Sequence, residues 1–217
     1  MPERADATAV PRELAALPLR TLRPQQAATV YAQPRLEVRR LERRGALHRL
    51  AHGYYVVVPQ QHVGTGWMPA LEAAAAGIAA SDFGPGQAVL MGVSAARMHG
   101  ALPRSISTAV VAVPAQRNPI RLADRDATVR FVKRDTDRLD AVPMTTELGS
   151  TLVTTPEQTV LDLGRRPGLG GAEDEVHAAA RILLARADAA LLDELATAQR
   201  ARASLRRVQS WAQVTTP

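Results

Sequence analysis

The chain of 217 residues contains no cysteine, which excludes disulfides and thiolate metal sites together. It also lacks an apolar run able to cross a bilayer: the longest candidate, Ala70 to Ala80, is about half the required length and carries Glu72. No hydrophobic stretch follows Glu3, Arg4 and Asp6, so no secretory signal is expected. Gly168-Leu169-Gly170-Gly171 is not followed by Lys-Ser or Lys-Thr, so it is no phosphate loop. His62 and His177 stand alone without ligand spacing, and no internal repeat is found. These absences predict a soluble cytosolic protein with no membrane partner, no metal and no cofactor.

What is present is arginine, unevenly placed. The net charge is +6, and Lys133 is the single lysine. Residues 1–62 hold ten arginines against five acids, a net of +5, while the remaining 155 residues net only +1. A genome rich in G and C inflates arginine over lysine everywhere, but it does not explain a shortage of acids confined to the first third. A local basic excess is the electrostatic footprint of a polyanion binder.

That same third has a compact order of elements. Residues 1–10 read as a disordered tail and Pro11 to Leu17 as a short lead-in helix. Leu19 to Arg23 reads as a strand, and Pro24 suits the first position of a helix through Val30. After a turn at Tyr31-Ala32-Gln33, Pro34 opens an eleven-residue helix to Arg44, with Gly45 suited to the left-handed residue just past its end. Leu47–Leu50 and Tyr54–Val58 flank Ala51-His52-Gly53 as a hairpin. Helix, turn, helix and hairpin in this order predict a winged helix-turn-helix over residues 11–59. Residues 60–66 have the composition of a linker, and residues 67–217 form the second domain.

In that second part, Trp67 to Ala80 reads as a helix, followed by a loop over 81–86. The loop precedes Ala88-Val89-Leu90-Met91, and strands are expected at Thr108–Val113, Thr128–Lys133, Val142–Glu147 and Ser150–Thr154. Ser94 is placed as the N-cap of a short helix ending near Gly100. Thr155-Pro156-Glu157-Gln158 reads as a capping box opening a helix to Leu163, with Glu157 complementing the helix N-terminus. The chain is helical from Ala172 to Gln213, with a break near Ala187-Asp188. The fold class is α+β: a winged helix-turn-helix, then a mixed α/β domain ending in helices.

On a helical wheel of residues 34–44, Val38 and Leu41 share the face that must pack, while Arg35, Arg39 and Arg43 form a row on the other side. Arg40 and Leu36 lie beside the row. Guanidinium forks pair with guanine O6 and N7 or clamp phosphates in the major groove, and Leu36 suits a thymine methyl. Arg49 and His52 on the hairpin are candidates for backbone or minor-groove contact. Arg23, Gln25, Gln26 and Gln33 are secondary candidates near phosphates. A solvated helix face on which Glu37 and Glu42 pair with the arginines is the plainer alternative, and winged helices that dock proteins are a third.

The run Arg39-Arg40-Leu41-Glu42-Arg43-Arg44-Gly45-Ala46-Leu47-His48-Arg49-Leu50-Ala51-His52-Gly53-Tyr54-Tyr55 resembles the winged-helix start of AbiEi-type antitoxins. Gly92-Val93-Ser94-Ala95-Ala96-Arg97-Met98-His99-Gly100-Ala101-Leu102-Pro103 and Thr154-Thr155-Pro156-Glu157-Gln158-Thr159-Val160-Leu161-Asp162-Leu163 resemble two stretches of that family's C-terminal domain. The three lie in the family's order, and the resemblance covers roughly residues 19 to 200. It implies an antitoxin of a type IV (abortive-infection) toxin–antitoxin system. Such an antitoxin binds promoter DNA to repress its own operon and neutralises a nucleotidyltransferase-like toxin. A stand-alone winged-helix regulator with a ligand-sensing or oligomerising C-terminal domain is the rival reading.

Enzyme readings fare worse. Ser94 and His99 diverge by about 140° on one helix, and no acid stands two residues before Lys133 as a nuclease site of the restriction type needs. Arg200, Arg202, Arg206 and Arg207 near Trp211 suit a solvated helix or a second contact surface. No catalytic activity is expected.

Overall fold

The computed structural model describes residues 10–171 and 173–213. Residues 1–9 of the expected tail lie outside them, and Val10 packs beside the cluster centred on Leu14 and Leu22. Helix α1 (Arg12–Ala15) is a single turn that buries Leu14. A 3-10 turn leads into strand β1 (Thr21–Leu22). The helix expected from Pro24 is a 3-10 segment, Pro24–Thr29. Gln26 Oε1 bends back to accept the Arg23 amide at 2.7 Å, and β-branched Thr29 and Val30 give little support to a longer α-helix.

Helix α2 (Pro34–Arg43) is a regular α-helix that buries Val38 and Leu41 against Ala27, Leu47 and Tyr55. Gly45, at φ 73°, ends it in a Schellman turn: the Ala46 amide donates to the Leu41 carbonyl at 3.0 Å, and the Gly45 amide to that of Glu42 at 2.9 Å. This turn lays β2 (Leu47–Ala51) beside the helix, and β3 (Tyr54–Val57) returns antiparallel to it. β1 pairs with the other edge of β3, giving a three-stranded sheet in the order β1-β3-β2. Helix, turn, helix and wing therefore stand in the predicted order.

Helix α3 (Leu71–Phe83) starts and ends later than expected. Pro69 disfavours a helical conformation at Met68, and the chain stays helical through Ser81 and Asp82 until Gly84 at φ 90°. Every residue from Leu71 to Ala80 is buried. After it come β4 (Val89–Leu90), α4 (Val93–Met98), β5 (Thr108–Val113), β6 (Ile120–Arg121), β7 (Thr128–Lys133), β8 (Ala141–Thr146) and β9 (Gly149–Thr154). They form a mixed sheet in the order β6-β7-β5-β4-β9-β8, in which β5 runs parallel to β7 and β4 to β9.

Alternation sorts the sheet's two faces. Leu90, Val111, Val113, Val129 and Phe131 point to α3 and share one cluster with Leu50, Tyr54 and Val56 of the winged segment. Val89, Val110, Ala112 and Val132 point the other way, onto α5 (Pro156–Arg165), α6 (Glu173–Leu184), α7 (Ala189–Ala198) and α8 (Arg202–Gln213).

Four sequence expectations need correction here. Gly92, at φ 56°, is the residue before α4, and Ser94 lies inside the helix, where its Oγ accepts the Val110 amide at 2.9 Å. Only half of the capping box forms: Thr155 Oγ1 accepts the Gln158 amide at 3.3 Å, while the Thr155 amide donates to the Asp140 carbonyl. Glu157 sits in the first turn of α5, yet its Oε1 accepts the Asp188 amide at 2.7 Å ahead of α7. The terminal helices break twice, and the second break, at Arg200 with φ 52°, separates α7 from α8.

Helix α5 crosses α8 at Gly164, where an added Cβ would strike the Ser204 carbonyl oxygen and Val208. Gly164→Ala is expected to lower unfolding free energy by about 1–3 kcal/mol through overpacking, measured by urea titration. A loss under about 0.5 kcal/mol, the scale of an ordinary surface change, would contradict this close crossing.

Candidate nucleic-acid interface

With Val38 and Leu41 turned inward, the opposite side of α2 carries Arg35, Arg39, Arg40 and Arg43, all exposed. Leu36, 40% exposed, lies beside them. Arg40 pairs with Glu37 at 2.7 Å, one of the two internal pairings the sequence allowed. Glu42 forms no ion pair with the row among the described residues, and Arg35, Arg39 and Arg43 have no carboxylate within salt-bridge reach there. Arg43 Nε donates to the Arg39 carbonyl at 3.4 Å, which aligns the two along the helix. Gln33, exposed, precedes the first turn of α2.

On the wing, Arg49 is exposed on β2 opposite Tyr55, and His52 is exposed at the hairpin tip beside Gly53, whose φ is 79°. A bulge between Arg49 and Ala51 twists the strand there. Arg23 is placed differently. Its guanidinium turns inward to Asp82 at 2.9 Å and lies over the Tyr54 ring, 5.3 Å from the centroid. Gln26 is likewise engaged, on the Arg23 amide.

Two polar clusters hold the wing to the rest of the chain. In the first, Tyr54 Oη donates to Asp82 Oδ2 at 2.8 Å, and Arg117 joins Asp82 at 3.0 Å and also meets the Tyr54 hydroxyl. Burial, reinforced by Asp82, pushes the Tyr54 hydroxyl up to about 12, so it stays a donor. In the second, His48 Nε2 meets Asp124 Oδ2 at 2.7 Å, Arg125 braces the same carboxylate, and the Ala123 amide donates to the Leu50 carbonyl at 2.8 Å. Burial opposes ionisation of Asp124, but the His48 and Arg125 contacts outweigh it and hold its pKa at about 2. Sequence reasoning missed Asp82, Arg117 and Asp124. Asp82 was assigned to a loop, and the others pair across large sequence distances.

Ser94 and His99, the pair weighed for catalysis, are each engaged elsewhere, as is the acid Asp162. Ser94 Oγ is bound to β5, Asp162 is paired with Arg134 at 3.1 Å, and His99 Nε2 bonds the Thr154 carbonyl oxygen at 2.7 Å. That last bond ties together the two stretches, 92–103 and 154–163, quoted above. Among the described residues no group of three or more His, Asp or Glu side chains is placed to hold a metal, and no helix is long and apolar enough to cross a membrane.

A family model described as the AbiEi antitoxin C-terminal domain matches residues 87–210, more than half of the chain. The chain belongs to the AbiEi antitoxin family. Among solved structures, the RV2827C protein from Mycobacterium tuberculosis is similar to this AbiEi family member, with a TM-score of 0.56 and 20% identity over 95% of this chain and 82% of its own. That likeness concerns the fold. No curated protein matches the sequence. In this family member the matched segment begins just before β4 and takes in all six strands of the large sheet and the helices from α4 through most of α8, so the winged segment and α3 stand ahead of it.

Asp124 has a folded pKa below its ordinary value of 3.8, so its stabilisation is complete above about pH 4 and is lost as pH falls toward 2. Asp124→Asn is expected to cost about 1–2 kcal/mol at neutral pH, with the gap from wild type closing as pH falls from 4 to 2. A gap independent of pH in urea titrations would contradict the His48–Asp124–Arg125 cluster.

Proposed function

We propose that this chain is the antitoxin of a type IV toxin–antitoxin pair. It represses its own operon by binding promoter DNA, and it counters a nucleotidyltransferase-like toxin. The observation that carries the DNA-binding half is the exposed row Arg35, Arg39 and Arg43, free of carboxylate partners among the described residues. A guanidinium with no ion pair to break meets phosphate or a guanine edge at less cost than one already neutralised.

Helix α2, ten residues long, spans about 15 Å and suits a major groove about 12 Å wide. Its arginine row then reads bases and clamps phosphates, with Arg40 beside it and Gln33 at its start. Arg49 and His52 contact the flanking backbone or minor groove as a wing does. Arg23 acts indirectly, by holding the wing's Tyr54 through Asp82. Residues 11–59 serve as the DNA-binding domain, 60–66 as the linker and 67–217 as the antitoxin domain. Membership of an antitoxin family supports the toxin half.

The double variant Arg39→Glu/Arg43→Glu is expected to lose operator affinity by about 100-fold or more, since each arginine contact is worth about 1–3 kcal/mol. Its thermal unfolding should match wild type, because both side chains are exposed. Wild-type affinity in a gel shift would overturn the assignment of α2. Co-expression with a nucleotidyltransferase encoded beside it tests the toxin half: rescue of growth is expected, and continued toxicity would favour a stand-alone regulator.

A further inference from the structure

Strands β5 and β7 run parallel and end on the same edge of the large sheet, at Val113 and Lys133. Ligand clefts in open α/β sheets form beyond the carboxyl ends of such strands. A groove lies here, lined by Arg134, Asp135, Arg138, Arg165, Gln199 and Arg200. A smaller cavity beside it shares Arg134 and Arg165 and adds Lys133, Asp162 and Arg166. Six cationic side chains thus face two carboxylates. Asp162 pairs with Arg134, and no carboxylate lies within salt-bridge reach of Lys133, Arg138, Arg165, Arg166 or Arg200 among the described residues.

The floor of the groove is organised. Arg134 is largely buried and fixed from two sides, by Asp162 Oδ1 at 3.1 Å and Gln199 Oε1 at 3.3 Å. Gln158 Nε2 braces the same Asp162 oxygen at 3.2 Å. The second oxygen, Oδ2, is buried and has no hydrogen-bond partner among the described residues. Burial, opposed by Arg134, pushes the Asp162 carboxyl up to about 6. At the rim, Arg200 holds a left-handed backbone at φ 52°. A non-glycine residue there is held against its steric preference, and such strain gathers at functional sites.

We propose that this groove binds a small phosphorylated ligand: Arg138, Arg165 and Arg200 hold its phosphoryl group over the fixed Arg134, and a hydrogen-bond donor on the ligand reaches Asp162 Oδ2. Guanidinium clusters select phosphoryl oxygens by charge and geometry. A buried unpaired carboxylate oxygen selects a donor. A nucleoside phosphate carries both features in one molecule. The lining comes from strand ends, α5 and the α7–α8 junction, and the inference does not rest on the reading of α2.

The test is calorimetric titration of the full chain carrying Arg39→Glu/Arg43→Glu, which disrupts the arginine row of α2 as a competing anion site. The probes are inorganic phosphate, adenosine and guanosine 5′-triphosphates, and a short 5′-phosphorylated single-stranded oligonucleotide. At least one nucleotide is expected to bind more tightly than inorganic phosphate. Arg138→Gln and Arg200→Gly should each weaken it about tenfold or more, as loss of a charge-assisted contact does. Arg200→Gly should also leave thermal stability unchanged or raised, because glycine accepts the left-handed backbone. Absence of binding by every probe would overturn the proposal, as would binding indifferent to both substitutions. Binding of the oligonucleotide alone would overturn the small-ligand assignment, and equal affinity for phosphate and nucleotides would overturn the contact to Asp162.

Discussion

Helix α3 is the element on which the architecture turns, because it is buried along ten consecutive residues between two sheets. A helix wrapped on all sides needs no polar face, and the buried stretch of this one is mostly alanine, with Leu71, Gly77 and Ile78. Small side chains let backbone approach closely from both directions. At Gly77 a Cβ would collide with Thr21 of β1, so the N-terminal sheet sits directly on the helix. The acid within the buried stretch, Glu72, is neutralised by Arg97 Nε at 2.7 Å. One hydrophobic cluster therefore runs from Leu50 and Tyr54 of the wing through α3 to Val111 and Phe131 of the large sheet.

This shared core fixes how the arginine face is presented. The wing is packed at its base by α3 and braced through Tyr54 with Asp82 and through His48 with Asp124. The arginines divide accordingly. Arg23, Arg117 and Arg125 face carboxylates inside these clusters, whereas Arg35, Arg39 and Arg43 face solvent. Arginine content alone does not distinguish the two groups. What distinguishes them is whether a buried carboxylate lies within reach, and that depends on tertiary packing.

The sequence was readable where local rules decide the outcome. Pro34 and Gly45 bounded α2 closely, because each acts through its own backbone. Strands β5 and β7 begin and end where their β-branched and apolar residues do; β5 is buried on both faces, which demands such residues, while β7 exposes Arg130 and Lys133. The row at 35, 39 and 43 followed from helical spacing. Long-range pairing hid the rest. Asp82 looked like a loop residue because Gly84 and Pro85 follow it, yet helix α3 runs past it and carries its carboxylate to Tyr54. Ser94 had the look of a cap, but Gly92 takes that place and Ser94 serves β5. Strand β6 is two residues long, too short for any alternation to show, and the break at Arg200 has no glycine or proline to announce it.

The central claim is that exposed arginines on α2 and the wing recognise DNA belonging to this chain's own operon. The most direct measurement is a gel-shift titration against the DNA upstream of its gene, with random duplex as competitor and salt varied. The account predicts binding that resists competitor and weakens steeply with salt, with log K falling against log salt at a slope of about −3 or steeper, as for several phosphate contacts. Binding no tighter than to random duplex, or indifferent to salt, would contradict it.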